Sequence, residues 1–266
     1  MQALQEARRA ADRELMVSAR ASTLLAAAVS AVPFVIASCG SSSGLTGSRS
    51  QGSSQASLGR GASPVEARNY ARAVNLQPAD LPSMRVTAPE REASPPSATA
   101  LADDRCYGEL GHAVHELKVD SARFAGVSGR EHIEIYSNVE VLPTAAIAAK
   151  NDAANAGPRA LFCAEHFLPQ VLARQGGARI RYGPLSIARI PVSLPGGYGW
   201  SVTVSVLGVP KAIEPTQPHL YMDGLAFLTG RTEVGLVAVA YPRPASAAVE
   251  SRLVSLLYSR ASAHTL

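Results

Sequence analysis

Trp200-Ser201-Val202-Thr203-Val204-Ser205-Val206 alternates large apolar residues with small hydroxyl residues without a break. A period of two puts Trp200 and the valines on one face of a strand and the hydroxyls on the other. That is the pattern of an antiparallel strand with one side buried. Downstream, Leu220–Leu228 and Thr232–Tyr241 flank Thr229-Gly230-Arg231, a tight turn with Gly where a positive φ is needed, so the two runs predict a hairpin. Upstream, Ile133, Ile135, Val139 and Val141 share one parity against His132, Glu134 and Asn138, which reads as another half-buried strand. Residues 179–190 add one or two strand pieces around Gly183-Pro184, and a short strand is expected near Met84–Thr87.

Helical patterns separate these runs. Val65, Glu66, Ala67, Arg68, Tyr70 and Ala71 predict a helix over 65–73, and Leu101–Leu117 another that carries Cys106. Pro143 opens a helix that stops at Gly157, and a further one runs from Pro158 past Cys163 to Gly176-Gly177. The last, Ala245–Ala261, sets Val249, Leu253, Leu256 and Leu257 on one face. The expected fold is α+β, an antiparallel sheet of about five to six strands with one face polar and one packed against helices. Residues 65–266 form this single domain.

The N-terminal region carries an address rather than a fold. Arg8, Arg9, Arg13 and Arg20 precede an apolar run from Leu24 to Ala37, and Ile36-Ala37-Ser38-Cys39 closes it. Small residues ending in cysteine are what a bacterial lipoprotein signal peptidase reads, so residues 1–38 are expected to be a signal peptide and Cys39 the lipidated residue. The apolar run, of about 14 residues, is short of the roughly 20 that span a bilayer, and Pro33 interrupts it. An uncleaved anchor and an ordinary secreted chain are the competing readings. Met1 and Met16 are both possible starts. Residues 39–64, mostly Ser, Gly and Gln, are too poor in apolar surface to form a core and predict a flexible tether.

Removing residues 1–38, with four Arg against three acids, leaves 21 basic and 18 acidic residues, a net charge of +3. The charges are interspersed, which argues against nucleic acid as a partner. With Cys39 acylated, Cys106 and Cys163 remain as an even pair, and outside the cytoplasm such a pair oxidises. A disulfide is the expectation; two buried thiols or a metal pair are the alternatives.

The lipobox, the small-polar linker, Leu76-Gln77-Pro78-Ala79-Asp80-Leu81-Pro82, the turn Phe227-Leu228-Thr229-Gly230-Arg231-Thr232-Glu233-Val234 and the closing Leu253-Val254-Ser255-Leu256-Leu257-Tyr258-Ser259-Arg260-Ala261 helix together resemble actinobacterial cell-envelope lipoproteins. Such domains look like the PsbP-like fold or the extracytoplasmic sensor domains of envelope kinases. The resemblance spans most of residues 76–262 and implies an α+β domain that binds something. It carries over no active site.

Chemistry-bearing motifs are sparse. Glu109, His112, His115 and Glu116 share a helix face and suit zinc, but H-E-x-x-H is absent, and two surface histidines explain the same letters. Asp103-Asp104 fits a helix start, where the macrodipole favours acids, or a catalytic pair. Cys163-Ala164-Glu165-His166 suggests a thiol beside a base, unless the thiol is consumed in a disulfide. No G-x-S-x-G, P-loop or dinucleotide fingerprint occurs. Pro195-Gly196-Gly197-Tyr198-Gly199-Trp200 reads as a mobile loop presenting aromatics, or as a hairpin connection with Trp200 starting the core face. The parity favours core for Trp200 and leaves Tyr198 as the candidate binding residue.

These readings combine into a lipid-anchored extracytoplasmic domain on the cell membrane that is not an enzyme and needs no metal or cofactor. It is expected to bind a protein partner or an apolar envelope ligand, using the sheet's polar face and the loops around 191–199 and 209–218. An envelope hydrolase or transferase, and a structural or assembly lipoprotein, are the alternatives.

Overall fold

The computed structural model describes residues 62–92, 106, 116–128, 131–176, 181–207, 218–264 and 266. Helix α1 (Pro64–Val74) is started by a capping box. The Ser63 hydroxyl accepts from the Glu66 amide at 3.3 Å, and the Glu66 carboxylate accepts from the Ser63 amide at 2.7 Å. Its inner face buries Ala67, Tyr70, Ala71 and Val74. A 3-10 turn over Pro78–Asp80 follows. Strands β1 (Arg85–Ala88), β2 (Arg91–Glu92), β3 (Leu117–Asp120), β4 (Arg123–Ser128) and β5 (Glu131–Val141) come next. Helices α2 (Ala145–Ala156) and α3 (Pro158–Gly176) lead to the meander β6 (Arg181–Ile190), β7 (Gly197–Leu207), β8 (His219–Thr229) and β9 (Thr232–Tyr241), and α4 (Ala247–Ala263) closes the domain.

The fold class is α+β: among the described residues, nine strands form one antiparallel sheet, packed with four helices. The main path runs β1-β4-β5-β9-β8-β7-β6. Strand β5 is long enough to hold two partners along one edge, β4 against Glu131–Ile135 and β3 against Asn138–Val141. The three strands beyond the expected five to six are β2, β3 and β4. The sequence reading ran a helix to Leu117, which instead begins β3 and pairs with Val141. The rest of that expected helix lies outside the described residues, apart from Cys106 and Glu116.

The expectation of one polar and one covered face is corrected. Helices lie on both faces. On one, α1 and α4 cover Val119, Phe124, Ile135, Val139, Leu225, Phe227, Val234, Leu236 and Ala238. On the other, α3 covers Tyr136, Trp200, Val202, Val204, Met222, Val237 and Val239 through Leu161, Leu168 and Leu172, while α2 covers Leu142 and Leu228. The polar parity of β5 is therefore interior. Glu134 is tolerated there because the Arg123 guanidinium donates to it at 2.8 Å, and Arg123 also stacks on the Tyr136 ring at 4.5 Å. Paired charges inside a strand look like solvent-facing letters in a sequence.

Candidate functional site

The residues singled out by sequence fall in different places. Cys39, Asp103, Asp104, Glu109, His112 and His115 lie outside the described residues. Cys106 and Cys163 are joined by a disulfide, Cα to Cα 5.7 Å, and Cys163 is fully buried in α3. Its sulfur is therefore not a nucleophile for His166, which is exposed and stacks edge-on with Phe167. Glu116 is exposed and paired with Arg231 at 2.9 Å. Among the described residues no three His, Cys, Asp or Glu side chains are grouped to hold a metal ion.

Tyr198 is corrected from a loop position to a buried one. It is the second residue of β7, only 8% exposed, and its hydroxyl donates to Glu233 at 2.7 Å. The glycines around it serve packing rather than mobility. Gly196 takes φ +63° in the turn, and a Cβ on Gly197 would lie 2.7 Å from Val192. Trp200 is core: its ring covers Gly224 on β8, where a Cβ would stand 2.3 Å from the indole.

Tyr198 belongs to a polar cluster beneath α2. Glu140 on β5 stands directly across from Glu233 on β9, and Lys118 on β3 is 3.9 Å from Glu140. From α2, Asn151 donates to Glu233 at 2.8 Å and Asn155 at 3.4 Å. Arg189 of β6 then holds the carbonyls of Asn155 and Gly157 at 3.1 and 2.6 Å. Burial first, then the charge of Glu140, pushes the Glu233 carboxyl up to about 7, against the pull of Tyr198, Lys118 and Asn151. Burial, then the Glu233 charge, raises the Tyr198 phenol well above its ordinary value, so it stays a neutral donor. This cluster seats α2 on the sheet. Helix α2 otherwise touches it through little more than Ile147 and Ala148.

The opposite face of β6–β8 is different. Helix α4 crosses β8 and β9 and ends its cover at Asp223. Beyond it, Ser201, Thr203 and Ser205 of β7, Ser186 and Ala188 of β6, and Tyr221 and His219 of β8 form an open, hydroxyl-rich face. The segment Ile190, Val192 and Leu194 borders it, packed on the α1/α4 core. Where cover meets opening, Glu250 from the first turn of α4 meets Asp223, cross-strand from Ser201. The two are 6% and 8% exposed, and Glu250 Oε1 and Asp223 Oδ1 are buried with no donor from outside the pair. Burial, the Asp223 charge and the hydrogen bond to Asp223 push the Glu250 carboxyl up to about 8. The two carboxyls therefore hold a proton between them near neutral pH. The sequence reading missed this pair. Its signals were an acid interrupting the apolar run of β8 and an acid three residues before Leu253, on the inner face of α4.

No protein-family model and no curated protein matches the chain. Among solved structures it is similar to the extracellular domain of PknH from Mycobacterium tuberculosis, with 11% identity over 74% of this chain and 96% of that one, and a TM-score of 0.42.

Proposed function

We propose that the chain is a lipid-anchored, extracytoplasmic, non-enzymatic binding or sensing domain, tethered through Cys39 and residues 39–64, that engages a protein partner on the open face of β6–β8. The observation that carries the binding reading is the unequal cover of these strands. One face is closed by α3 over Trp200, Val202, Val204 and Met222, and the other presents serine, threonine and tyrosine side chains outward. A row of hydroxyls with no helix above it among the described residues is a surface that a polar partner can meet with hydrogen bonds at little desolvation cost. The space between sheet and α3 is filled by the indole of Trp200 lying on Gly224, which favours an external partner over an apolar molecule held between the layers. The Cys106–Cys163 disulfide supports an oxidising compartment, and the lipobox at Cys39 supports a membrane attachment there.

Two measurements test this. Mass spectrometry of the protein from its native membrane is expected to find an acylated N-terminal Cys39; a dominant unmodified peptide spanning Ser38–Gly40 overturns the anchor. Hydrogen exchange of the full chain with solubilised envelope proteins is expected to protect β6 and β7 first. Protection confined to α3 overturns the surface.

A further inference from the structure

The two ends of the sheet are finished differently. At one end the outer strands are β1 and β2, of four and two residues. The β1–β4 register shifts between Val86 and Ala88, and Arg85, Arg91 and Glu92 are exposed there. Brevity, irregular register and charge are the devices that keep a sheet margin from pairing with other chains. At the other end β6 runs for ten residues. Its early part is blunted in the same way, by Pro184 and by a register shift between Tyr182 and Leu185. Leu185–Ile190 is not. It is regular against β7 and free of proline, and its one charged side chain, Arg189, is turned to the carbonyls of Asn155 and Gly157. Among the described residues no strand lies beyond β6 and no loop backbone bonds to it. In an antiparallel ladder every second residue turns its N–H and C=O away from the neighbour. Leu185–Ile190 therefore presents a row of backbone donors and acceptors on its outer side.

We infer that the protein partner binds by adding an extended segment to β6 along Leu185–Ile190, as a further strand of the sheet. The edge itself dictates this occupant, because another extended backbone offers N–H and C=O groups at the matching spacing. The two faces then set its side chains. On the α3 side the added strand lies beside Leu185 and Ile187, which are partly buried with Leu161 and Leu168, so alternate residues of the segment are apolar. On the other side it lies beside the exposed Ser186 and Ala188 and continues the hydroxyl face, so the intervening residues are polar. Arg181 is exposed at the start of β6 and forms no ion pair among the described residues. In an antiparallel arrangement it favours an acid at the C-terminal end of the segment. A second copy of this chain is the poorer occupant, since β6 has no acidic residue to set against Arg181.

The inference rests on the protein-binding reading, and residue-resolved amide hydrogen exchange of the full chain tests it. The chain is measured alone, with the peptide acetyl-Val-Thr-Val-Thr-Val-Asp-amide, and with solubilised envelope proteins. Every second amide of Leu185–Ile190 is expected to exchange fast in the chain alone and about tenfold more slowly with either addition. A peptide of the same composition with its valines grouped is expected to leave the exchange unchanged. Because the outward amides alternate, one of Ser186→Pro and Ile187→Pro removes an outward donor and leaves the ladder with β7 intact. The variant of the two that keeps its circular dichroism spectrum is expected to lose the slowing. Amides that stay fast with both additions overturn the inference. So does slowing that grows with the concentration of the chain alone, which assigns the edge to a second copy. Thr203→Lys, on the open face and away from the edge, separates this inference from the surface it rests on. Slowed amides that Thr203→Lys does not affect sink the open face as the surface and leave the added strand. Fast amides, together with envelope-protein binding that Thr203→Lys abolishes, sink the added strand alone.

Discussion

Strands β7 and β8 carry the same backbone ladder to both sides, yet their two faces have opposite characters. Beneath α3, Trp200, Val202, Val204 and Met222 are all buried, and the single missing side chain, Gly224, is the seat of the indole ring. On the other side, Ser201, Thr203 and Tyr221 are half-exposed, and among the described residues of these two strands the one carboxyl on that face, Asp223, shares a hydrogen bond with Glu250 at the edge of α4. The covered side explains why the strands hold; the open side has no such need of its residues. Side chains that stabilise nothing by burial are free to be chosen for contact with another molecule.

Breaking the covered side has the largest expected effect. Trp200→Ala removes an indole from a filled layer and leaves a cavity over Gly224, so denaturant unfolding is expected to show a loss of about 3–5 kcal/mol. A loss below about 1 kcal/mol shows that the layer is not the support described. The next effect sharpens the contrast between the two carboxyl sites. Glu233 and Glu250 have folded-state pKa values of about 7 and about 8, above the ordinary 4.5. The folded chain therefore retains protons that the unfolded chain has released, and stability falls as pH rises from about 4.5 through 7–8. Glu233→Gln removes one of these titrations. Thermal melts between pH 5 and 8 are expected to become flatter for the variant, with a gain at pH 8 on the order of 1–2 kcal/mol. An unchanged profile shows that Glu233 is ionised throughout. The smallest effect is on the open side: Thr203→Ala is expected to move stability by less than about 0.5 kcal/mol. A loss above about 1 kcal/mol makes that face part of the core.

Much of the meander was legible because its letters obey a period of two. The alternation of Trp200–Val206 marks β7, the Gly230 turn at φ +58° marks the β8–β9 hairpin, and Leu253 and Leu257 mark the inner face of α4. The first half of the sheet was harder to read because its interior contains charge. Arg123, Glu134 and Glu140 point into the α2/α3 side, where ion pairs and a cation–π contact offset their burial. Hydrophobic periodicity has no term for a charge that finds its partner only after the chain has folded. The same blindness hid Asp223 and Glu250, which lie 27 residues apart and meet only through the packing of α4. Tyr198 was misplaced for a simpler reason. Three glycines beside an aromatic describe a mobile loop and a tightly packed strand start equally well, and only contacts such as that between Gly197 and Val192 separate the two.

One early hydrogen-bonded knot has a mechanical meaning. Asn75, just after α1, accepts from Ser137 at 2.8 Å and donates to the Val119 carbonyl at 3.1 Å. The Leu76 amide also donates to Ser137, and Arg260 of α4 holds both Asn75 and Asp80. Strand β5, which carries Ser137, has neighbours on both edges. Any tension arriving along the chain before Ser63 is therefore delivered by α1 to the middle of the sheet and to the closing helix, rather than to a peripheral strand that could be unzipped one rung at a time.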